Sequence, residues 1–272
     1  MNCKVVLTIA GSDSGGGAGI QADLATFSAM GVFGTSVVTA LTAQNPQSVT
    51  CVQEASLEMV EAQIRQVMEF FPVDAVKTGM LPTAGCVELV ANLLEYYRGK
   101  RKFELVVDPV MVATSGQELV AEEVAEAFKE CLFPLADLVT PNLEEVRMLT
   151  VVEPANLSIL EKVGLEFAHT FQSGALLKGG HFTGNESVDV LVTKTGQSRR
   201  FVSERIMGVD SHGGGCSLAS AVAACMALGY DVEQAVGYAK AFIDTGFREP
   251  VEIGGTQYLR RIPGMYDGTG WS

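Results

Sequence analysis

The sequence predicts a three-layer α/β fold, with a central, mostly parallel sheet and helices on both of its faces. Short apolar runs, such as residues 73–76 and 103–107, alternate with longer segments whose apolar residues recur at helical spacing. Apart from Asp74 and Glu104, the residues of these two runs are apolar, which is typical of strands buried on both faces of a parallel sheet. Polar residues follow directly after several of these runs, at the edge where open α/β sheets bind ligands.

The order of elements follows from the same patterns. A first strand is predicted at 4–10, then a glycine-rich turn and a helix over 20–30. Further strands are expected at 37–41, 49–52, 73–76, 103–107, 137–140 and 175–177, with a hairpin formed by 188–193 and 199–203. Helices are expected over 57–71, 87–97, 120–131, 160–171, 218–228 and 232–243. Because no linker or repeat interrupts this alternation, residues 1–272 are predicted to form a single domain.

Composition excludes several functional classes. The net charge is −13 without a basic stripe, so nucleic-acid binding is not expected, and we interpret the charge as aiding solubility. The first apolar run is too short to span a membrane, so no membrane association is expected. The six cysteines form no C-x-x-C pair, which argues against a zinc site and favours reduced thiols in the cytoplasm.

The segment 208–217 contains three consecutive glycines, Gly213, Gly214 and Gly215, followed by Cys216 and an alanine-rich apolar run. This pattern places glycines at the start of a buried helix, where unpaired N–H groups and the helix dipole favour an anion. A thiol there is expected to have a lowered pKa and could act as a base. A glycine turn before a core helix, with Cys216 simply buried, is the structural alternative.

The residues 17–22 fit the pattern G-x-G-x-x-A between a strand and a helix. A dinucleotide site would need an acidic residue near the end of the second strand, and residues 36–50 contain none. No Gly-Lys-Ser or Gly-Lys-Thr motif follows these glycines, so this is not a P-loop. We interpret the glycines as a tight turn over a small ligand.

Five more side chains are candidates, each with a structural alternative. Asp23 could accept hydrogen bonds from a nitrogenous ring or compensate a helix dipole, and Gln44 could pair with ring nitrogens or be a surface residue. Asn142 and Glu145 have the spacing of a capping box, but they could also hold a metal–phosphate group. Lys178, flanked by glycines, could neutralise phosphate or lie in a solvated loop.

Together, these motifs resemble those of the hydroxymethylpyrimidine/phosphomethylpyrimidine kinases of thiamine biosynthesis, in the ribokinase superfamily. The resemblance runs from residue 7 to about residue 243. The segments that carry it are 7–13, 16–24, 39–45, 77–81, 108–111, 140–145 and 178–181.

The resemblance implies a ribokinase-like fold, ATP and Mg²⁺ as cofactors, and a homodimer. It implies transfer of the ATP γ-phosphoryl group to the hydroxymethyl group of a pyrimidine, and then a second transfer to the monophosphate. The residues implied around the pyrimidine are Ala18, Asp23, Gln44, Met80 and Val107. Those implied at ATP and the metal are Asp108, Lys178, and Asn142 and Glu145, the last two through water. The implied anion hole is Gly213–Gly215 with catalytic Lys178, and Cys216 is the base where most of the superfamily has aspartate.

The sequence departs from the family at two positions. Gly214 stands where the family usually has threonine, and the added backbone freedom is expected to make the anion hole costlier to order. Ser14 replaces a common proline. Cysteine-containing pyridoxal kinases share part of the pattern and are the alternative. We predict that Asp23, Gln44, Asn142, Lys178 and Cys216 line one cleft.

Overall fold

The computed structural model describes residues 3–111, 122–150, 152–180 and 184–261. Within these residues the larger sheet has nine strands, in the spatial order β3-β2-β1-β4-β5-β6-β7-β8-β9. The six central strands are parallel, and β3 at one edge and β8 and β9 at the other are antiparallel. The strands are β1 (Val5–Asp13), β2 (Phe33–Asn45), β3 (Ser48–Glu54), β4 (Val73–Thr78), β5 (Glu104–Val107), β6 (Leu138–Val139), β7 (Gly174–Lys178), β8 (Glu186–Val192) and β9 (Ser198–Glu204).

Helices cover both faces of this sheet. The helices are α1 (Gly19–Ala29), α2 (Leu57–Phe70), α3 (Ala84–Arg98), α4 (Glu122–Ala127), α5 (Leu143–Thr150), α6 (Leu157–Phe171), α7 (Gly214–Ala227) and α8 (Val232–Arg248). Residues of α2 to α6 form one hydrophobic cluster with the sheet, and residues of α1, α7 and α8 form a second. Successive residues of a strand pack on opposite faces of the sheet: Leu105 belongs to the first cluster and Val106 to the second. None of the helices in the described ranges has the length and apolarity to cross a bilayer.

The predicted three-layer fold is therefore confirmed, with differences at the ends of elements. The predicted helix over 120–131 is α4 continued by a π-helical turn at Phe128–Leu132, and residues 120 and 121 lie outside the described ranges. A second, three-stranded sheet, which the sequence patterns do not predict, consists of β10 (Val209–Asp210), β11 (Val251–Ile253) and β12 (Thr256–Tyr258). These strands are two or three residues long, too short to show a period.

The strand order places a crevice at the carboxyl edge of the sheet. β1 lies between β2 and β4, so the connections leaving β1 and β4 pack on opposite faces of the sheet. Ligands in open α/β sheets bind at such a switch point. The segments that follow β1, β4, β5, β6 and β7 all emerge at this edge.

Candidate active site

A cavity of about 680 Å³ opens at the carboxyl edge of the sheet. Four of the five residues predicted to share one cleft line it, but Asp23 does not, so that prediction is wrong for one member. The predicted site residues that line the cavity are Ala18, Gln44, Met80, Asp108, Asn142, Glu145, Lys178, Gly213, Gly214, Gly215 and Cys216.

The start of α7 forms one wall of the cavity. Gly213 caps this helix with a φ of +74°, a left-handed conformation that favours glycine. A Cβ atom at Gly213 would lie 1.7 Å from the carbonyl oxygen of Gly17, so no other residue fits there without a backbone shift. The predicted arrangement of glycines at a helix N-terminus is thus present.

Replacing Gly213 should lower the free energy of unfolding by more than the strain of its left-handed backbone conformation alone. Gly16 has the same φ of +74° but no atom within 4 Å of an added Cβ, which makes it a matched control. We expect Gly16→Ala to lower the free energy of unfolding by about 1–2 kcal/mol. Gly213→Ala should lower it further and reduce kcat, because its Cβ displaces the start of α7. Urea unfolding and turnover of both variants test this, and equal losses in the two would contradict it.

Gly214 lies in the first turn of α7 and donates its N–H to the carbonyl of Ser211 at 2.9 Å. A Cβ at this position would lie 3.3 Å from Cζ of Phe247, a close contact with a side chain. The space left by the missing side chain is therefore bordered by an aromatic ring that also lines the cavity. The amide of Gly214 is already ordered by its hydrogen bond.

The glycine-rich loop after β1 wraps around the carboxylate of Asp13. Oδ1 accepts the N–H of Gly15 at 2.8 Å, and Oδ2 accepts those of Gly17 at 3.1 Å and Ala18 at 2.8 Å. Nε2 of His212 lies 2.9 Å from Oδ2. Burial opposes ionisation, but these bonds outweigh it and hold the pKa of Asp13 below its usual value. These three amides serve an internal carboxylate, which agrees with a tight turn rather than a dinucleotide-phosphate cradle.

Asp23 lies beneath the cavity in a buried ion pair. Both of its oxygens are 2.9 Å from Nζ of Lys77, and the hydroxyls of Thr8 and Ser220 donate to them at 2.6 and 2.7 Å. Both ion-pair side chains are 0% exposed. Burial lowers the pKa of Lys77, but the charges of Asp23, Cys216 and Asp108 and the hydrogen bond to Asp23 together more than reverse this and raise it. The acceptor positions of Asp23 are already taken and its side chain does not line the cavity, so this geometry gives no support to the predicted direct ring contact.

Val107 also differs from its predicted position. It is the last residue of β5, is fully buried, and belongs to the cluster under α2 to α6. It does not line the cavity, whereas the next residue, Asp108, does. The alternation of side chains along the strand directs Val107 into the core.

A group of buried charges follows β5, β6 and β7. Nζ of Lys178 is 2.8 Å from Oδ1 of Asp108 and 4.0 Å from Oε2 of Glu145, and Thr140 donates to the same Asp108 oxygen at 2.8 Å. Burial raises the pKa of Glu145 to about 7, with Lys178 opposing and Asp108 adding to the shift. Burial also opposes ionisation of Asp108, but Lys178 and Lys77 outweigh it and lower the pKa. In the free protein, Lys178 therefore already offsets the negative charge of Asp108.

The capping interpretation of Asn142 and Glu145 is confirmed. The side chain of Asn142 accepts the N–H of Glu145 at 2.9 Å, and Oε2 of Glu145 accepts the N–H of Asn142 at 2.8 Å. The same two residues line the cavity beside Lys178. The cap and a role toward a ligand are thus compatible, since the cap fixes where these oxygens lie.

Cys216 lines the cavity in the first turn of α7. The prediction that its pKa is lowered is wrong for the free protein. Burial raises the pKa of the thiol, the charge of Lys77 opposes this, and Asp23 and Asp108 add to it. The backbone N–H of Gly19 also favours the thiolate. A partly buried thiol near two carboxylates holds its proton more tightly than the helix start alone suggests.

Gln44 is held at the end of β2 by groups that the sequence analysis did not assign. The hydroxyl of Ser14 donates to the carbonyl of Gln44 and accepts its N–H, both at 2.9 Å. The hydroxyl of Thr42 lies 3.1 Å from Oε1 of Gln44. Ser14, the departure from the family proline, therefore anchors the glycine-rich loop to the strand that carries Gln44.

Comparison with known proteins places this geometry in a family. Residues 13–259 match the phosphomethylpyrimidine kinase family. A thiamine biosynthesis bifunctional protein of Geobacter sulfurreducens is 44% identical over 92% of this chain, which spans only 50% of that longer protein. A hydroxymethylpyrimidine/phosphomethylpyrimidine kinase of Rhizobium meliloti is 43% identical, covering 92% of this chain and 93% of its own length.

Two solved structures share the fold of this chain. The ADP complex of Bacillus subtilis pyridoxal kinase has a TM-score of 0.87 and 33% identity, covering 96% of this chain and 98% of its own. The phosphomethylpyrimidine kinase of Clostridium difficile 630 has a TM-score of 0.77 and 40% identity, covering 89% of this chain and 98% of its own. Because the match extends over nearly the whole described fold and its cavity, the chain belongs to the phosphomethylpyrimidine kinase family.

Proposed function

We propose that this protein transfers the γ-phosphoryl group of ATP to the hydroxymethyl group of 4-amino-5-hydroxymethyl-2-methylpyrimidine. It then phosphorylates the resulting monophosphate to the pyrophosphate, in thiamine biosynthesis. The observation that carries the proposal is a single cavity lined by a side-chain amide, Gln44, by the first turn of α7, and by the Lys178–Asp108 pair. A ring-binding group, an anion-binding helix end and a cation for phosphate then face one space.

Each wall of the cavity has a role in this reaction. Phosphoryl transfer depends mainly on positioning and on neutralising phosphate charge. The start of α7 at Gly213–Gly215 faces the transferring group, with the N–H groups of Gly213 and Gly215 as donors because that of Gly214 is already donated to Ser211. Lys178 offsets the negative charge of this group. Cys216 accepts the proton of the substrate hydroxyl as the oxygen attacks phosphorus, so the thiolate becomes a thiol. Ala18 and Met80 bound the space for the pyrimidine.

The donor set also fits Mg²⁺, which prefers oxygen ligands, few carboxylates and several waters. Asp108 and Glu145 are 2% exposed, and both border the cavity beside Asn142. Asp108, with Asn142 and Glu145 through water, would hold the ion near the phosphates of ATP. When bound, the ion supplies charge neutralisation to these phosphates.

Preference for the aminopyrimidine over pyridoxal depends on Gln44. Its amide offers a donor and an acceptor to a ring edge, and Thr42 restrains its orientation. A site built for such groups disfavours a ligand that leaves them unpaired. Pyridoxal kinase activity is the second candidate, because the Bacillus subtilis pyridoxal kinase shares the fold over 96% of this chain.

Replacing Gln44 by Met should lower kcat/KM for the aminopyrimidine more than for pyridoxal, because methionine cannot pair with the ring edge. Gln47→Met is the control, since Gln47 is exposed in the same hairpin and does not line the cavity. ADP release is measured with the pyrimidine, its monophosphate and pyridoxal. Equal or faster turnover of pyridoxal by the unmodified protein would overturn the proposed substrate.

The protein is further proposed to act as a single-domain homodimer in the cytoplasm. The family resemblance supports the homodimer, and the absence of paired cysteines among the described residues agrees with a reducing compartment. Light scattering at micromolar concentration measures the oligomeric state, and a monomer would contradict the dimer.

A further inference from the structure

Two side chains outside the cavity connect the glycine-rich loop, residues 14–18, to the start of α7. These are His212 and Arg261, and neither is among the residues that line the cavity. The proposed reaction assigns them no role, yet both are engaged with the backbone that forms the cavity wall.

His212 fills the space between Asp13 and Gly17. Its Nε2 is 2.9 Å from Oδ2 of Asp13, and both side chains are 2% exposed. A Cβ at Gly17 would lie 2.3 Å from Cδ2 of His212, so the ring rests directly on the loop backbone. Asp13 also accepts the N–H groups of three loop residues, so its carboxylate links the imidazole of His212 to the backbone of the loop.

Arg261 bonds to the loop and to α7 at once. Its guanidinium donates to the carbonyl of Gly17 at 2.8 Å, to the hydroxyl of Ser217 at 2.5 Å and to the carbonyl of His212 at 3.4 Å. Ser217 in turn donates to the carbonyl of Gly213 at 2.9 Å. One planar, five-donor group thus fixes three backbone or side-chain oxygens relative to each other.

The second sheet brings these two residues together. β10 pairs in parallel with β12, so that Asp210 lies opposite Tyr258. Asp210 accepts the N–H of His212 at 2.8 Å, and Arg261 follows Tyr258 by three residues. The pairing of β10 with β12 therefore positions the backbone near His212 and Arg261.

We propose that His212 and Arg261 are positioning residues for phosphoryl transfer, which hold the loop and the first turn of α7 at a fixed distance. The inference rests on the proposed function, because it concerns the same cavity. The carbonyl of Gly17 lies directly under Gly213, and Cys216 lies in the first turn of the helix that Gly213 caps. A shift between loop and helix therefore moves the base and the helix amides together.

Arg261→Ala tests this role. Because a misplacement of about 1 Å can cost about 100-fold in rate, we expect kcat to fall by about 100-fold with little change in KM. Millimolar guanidinium, below denaturing concentrations, should restore much of kcat by occupying the place of the lost group. Arg260→Ala is the matched control: it removes the neighbouring arginine, which pairs with Glu249 at 3.0 Å, and should keep the unmodified kcat and show no response to guanidinium.

A second variant tests whether His212 and Arg261 both act by holding the glycine-rich loop against the start of α7. His212→Asn should also lower kcat, and the double variant should lose less than the product of the two single losses, since both act through one loop. An unchanged kcat in Arg261→Ala would overturn the proposal. A loss that guanidinium does not reverse, and that equals the loss of folded protein in thermal unfolding, would overturn it too.

These results remain separable from the proposed function. The variants are compared on whichever substrate the unmodified protein turns over. If that substrate is pyridoxal, the proposed pyrimidine specificity fails, and the ratio of kcat values still decides the positioning role. Hydrogen exchange provides a readout without substrate: the amides of residues 14–18 and 213–217 should exchange faster in Arg261→Ala than in Arg260→Ala, and equal rates would count against the proposal.

Discussion

Replacing Cys216 by Ser or Ala is expected to lower kcat for the first phosphorylation by about 10²–10⁴-fold, the usual contribution of a general base. The affinity for ATP should change little, because the helix amides remain. The physical reason is that neither replacement offers a basic atom at the place of the thiol that lines the cavity. Single-turnover kinetics with the pyrimidine measures the chemical step. Near-normal turnover in Cys216→Ala would remove the base assignment and leave the contribution to the Gly213–Gly215 amides.

The pH dependence of the same step provides an independent check. Only the thiolate can accept the proton, and burial places the thiol pKa above its ordinary value of about 8.5. Therefore kcat/KM should rise with pH through a value on the alkaline side of that figure. Cys216→Asp should retain more activity than Cys216→Ser, without this alkaline rise, because a carboxylate is already ionised at neutral pH. Cys51→Ala, which removes an exposed thiol outside the cavity, is the control and should leave the profile unchanged.

The second large effect expected is on stability, from Lys77→Met. Removing the ammonium leaves the buried Asp23 carboxylate with only the hydroxyls of Thr8 and Ser220. Breaking a buried ion pair on one side costs about 3–5 kcal/mol, and we expect this loss in the free energy of unfolding. Urea unfolding with a common m-value measures it.

Two further variants distinguish the loss of a buried ion pair from the loss of a lysine charge as such. Lys4→Met removes an exposed partner, 2.7 Å from Asp74, and should cost no more than about 1 kcal/mol. The double variant Asp23→Leu/Lys77→Met removes both charges and should cost less than Lys77→Met alone. If Lys77→Met unfolds within about 1 kcal/mol of the unmodified protein, the pair does not have the energetic weight assigned to it.

Local sequence patterns, with the family resemblance, were sufficient for the main sheet and for eleven of the thirteen predicted site residues, which line the cavity. Continuous apolar runs identify buried strands, and the residue after such a strand lies at the carboxyl edge, which explains why Asp108, Asn142 and Lys178 were predicted at one place. The position of Asp23 could not be predicted in this way. Its partner Lys77 is 54 residues away, and only the adjacency of β1 and β4 brings Lys77 beneath α1.

The same limit applies to His212 and Arg261. Nothing near Arg261 in the sequence forms a motif, and β10 and β12 are too short for any period to be visible. The pKa of Cys216 was misjudged for a related reason. The helix start is visible in the sequence, whereas the burial and the two carboxylates that outweigh it are properties of the packed cavity.

The bond between Arg261 and Gly17 joins residues that are 244 positions apart in the chain. At about 5–20 residues per second, a ribosome needs about 10–50 s to synthesise that interval. During this time the glycine-rich loop exists without the residue that fastens it. The strands of the main sheet up to β9 precede Arg261, so they can pair earlier, while the catalytic arrangement is completed only after residue 261 has been made. A chain made only as far as β9 would therefore have the strands of the main sheet but not the arginine that fastens the loop to α7.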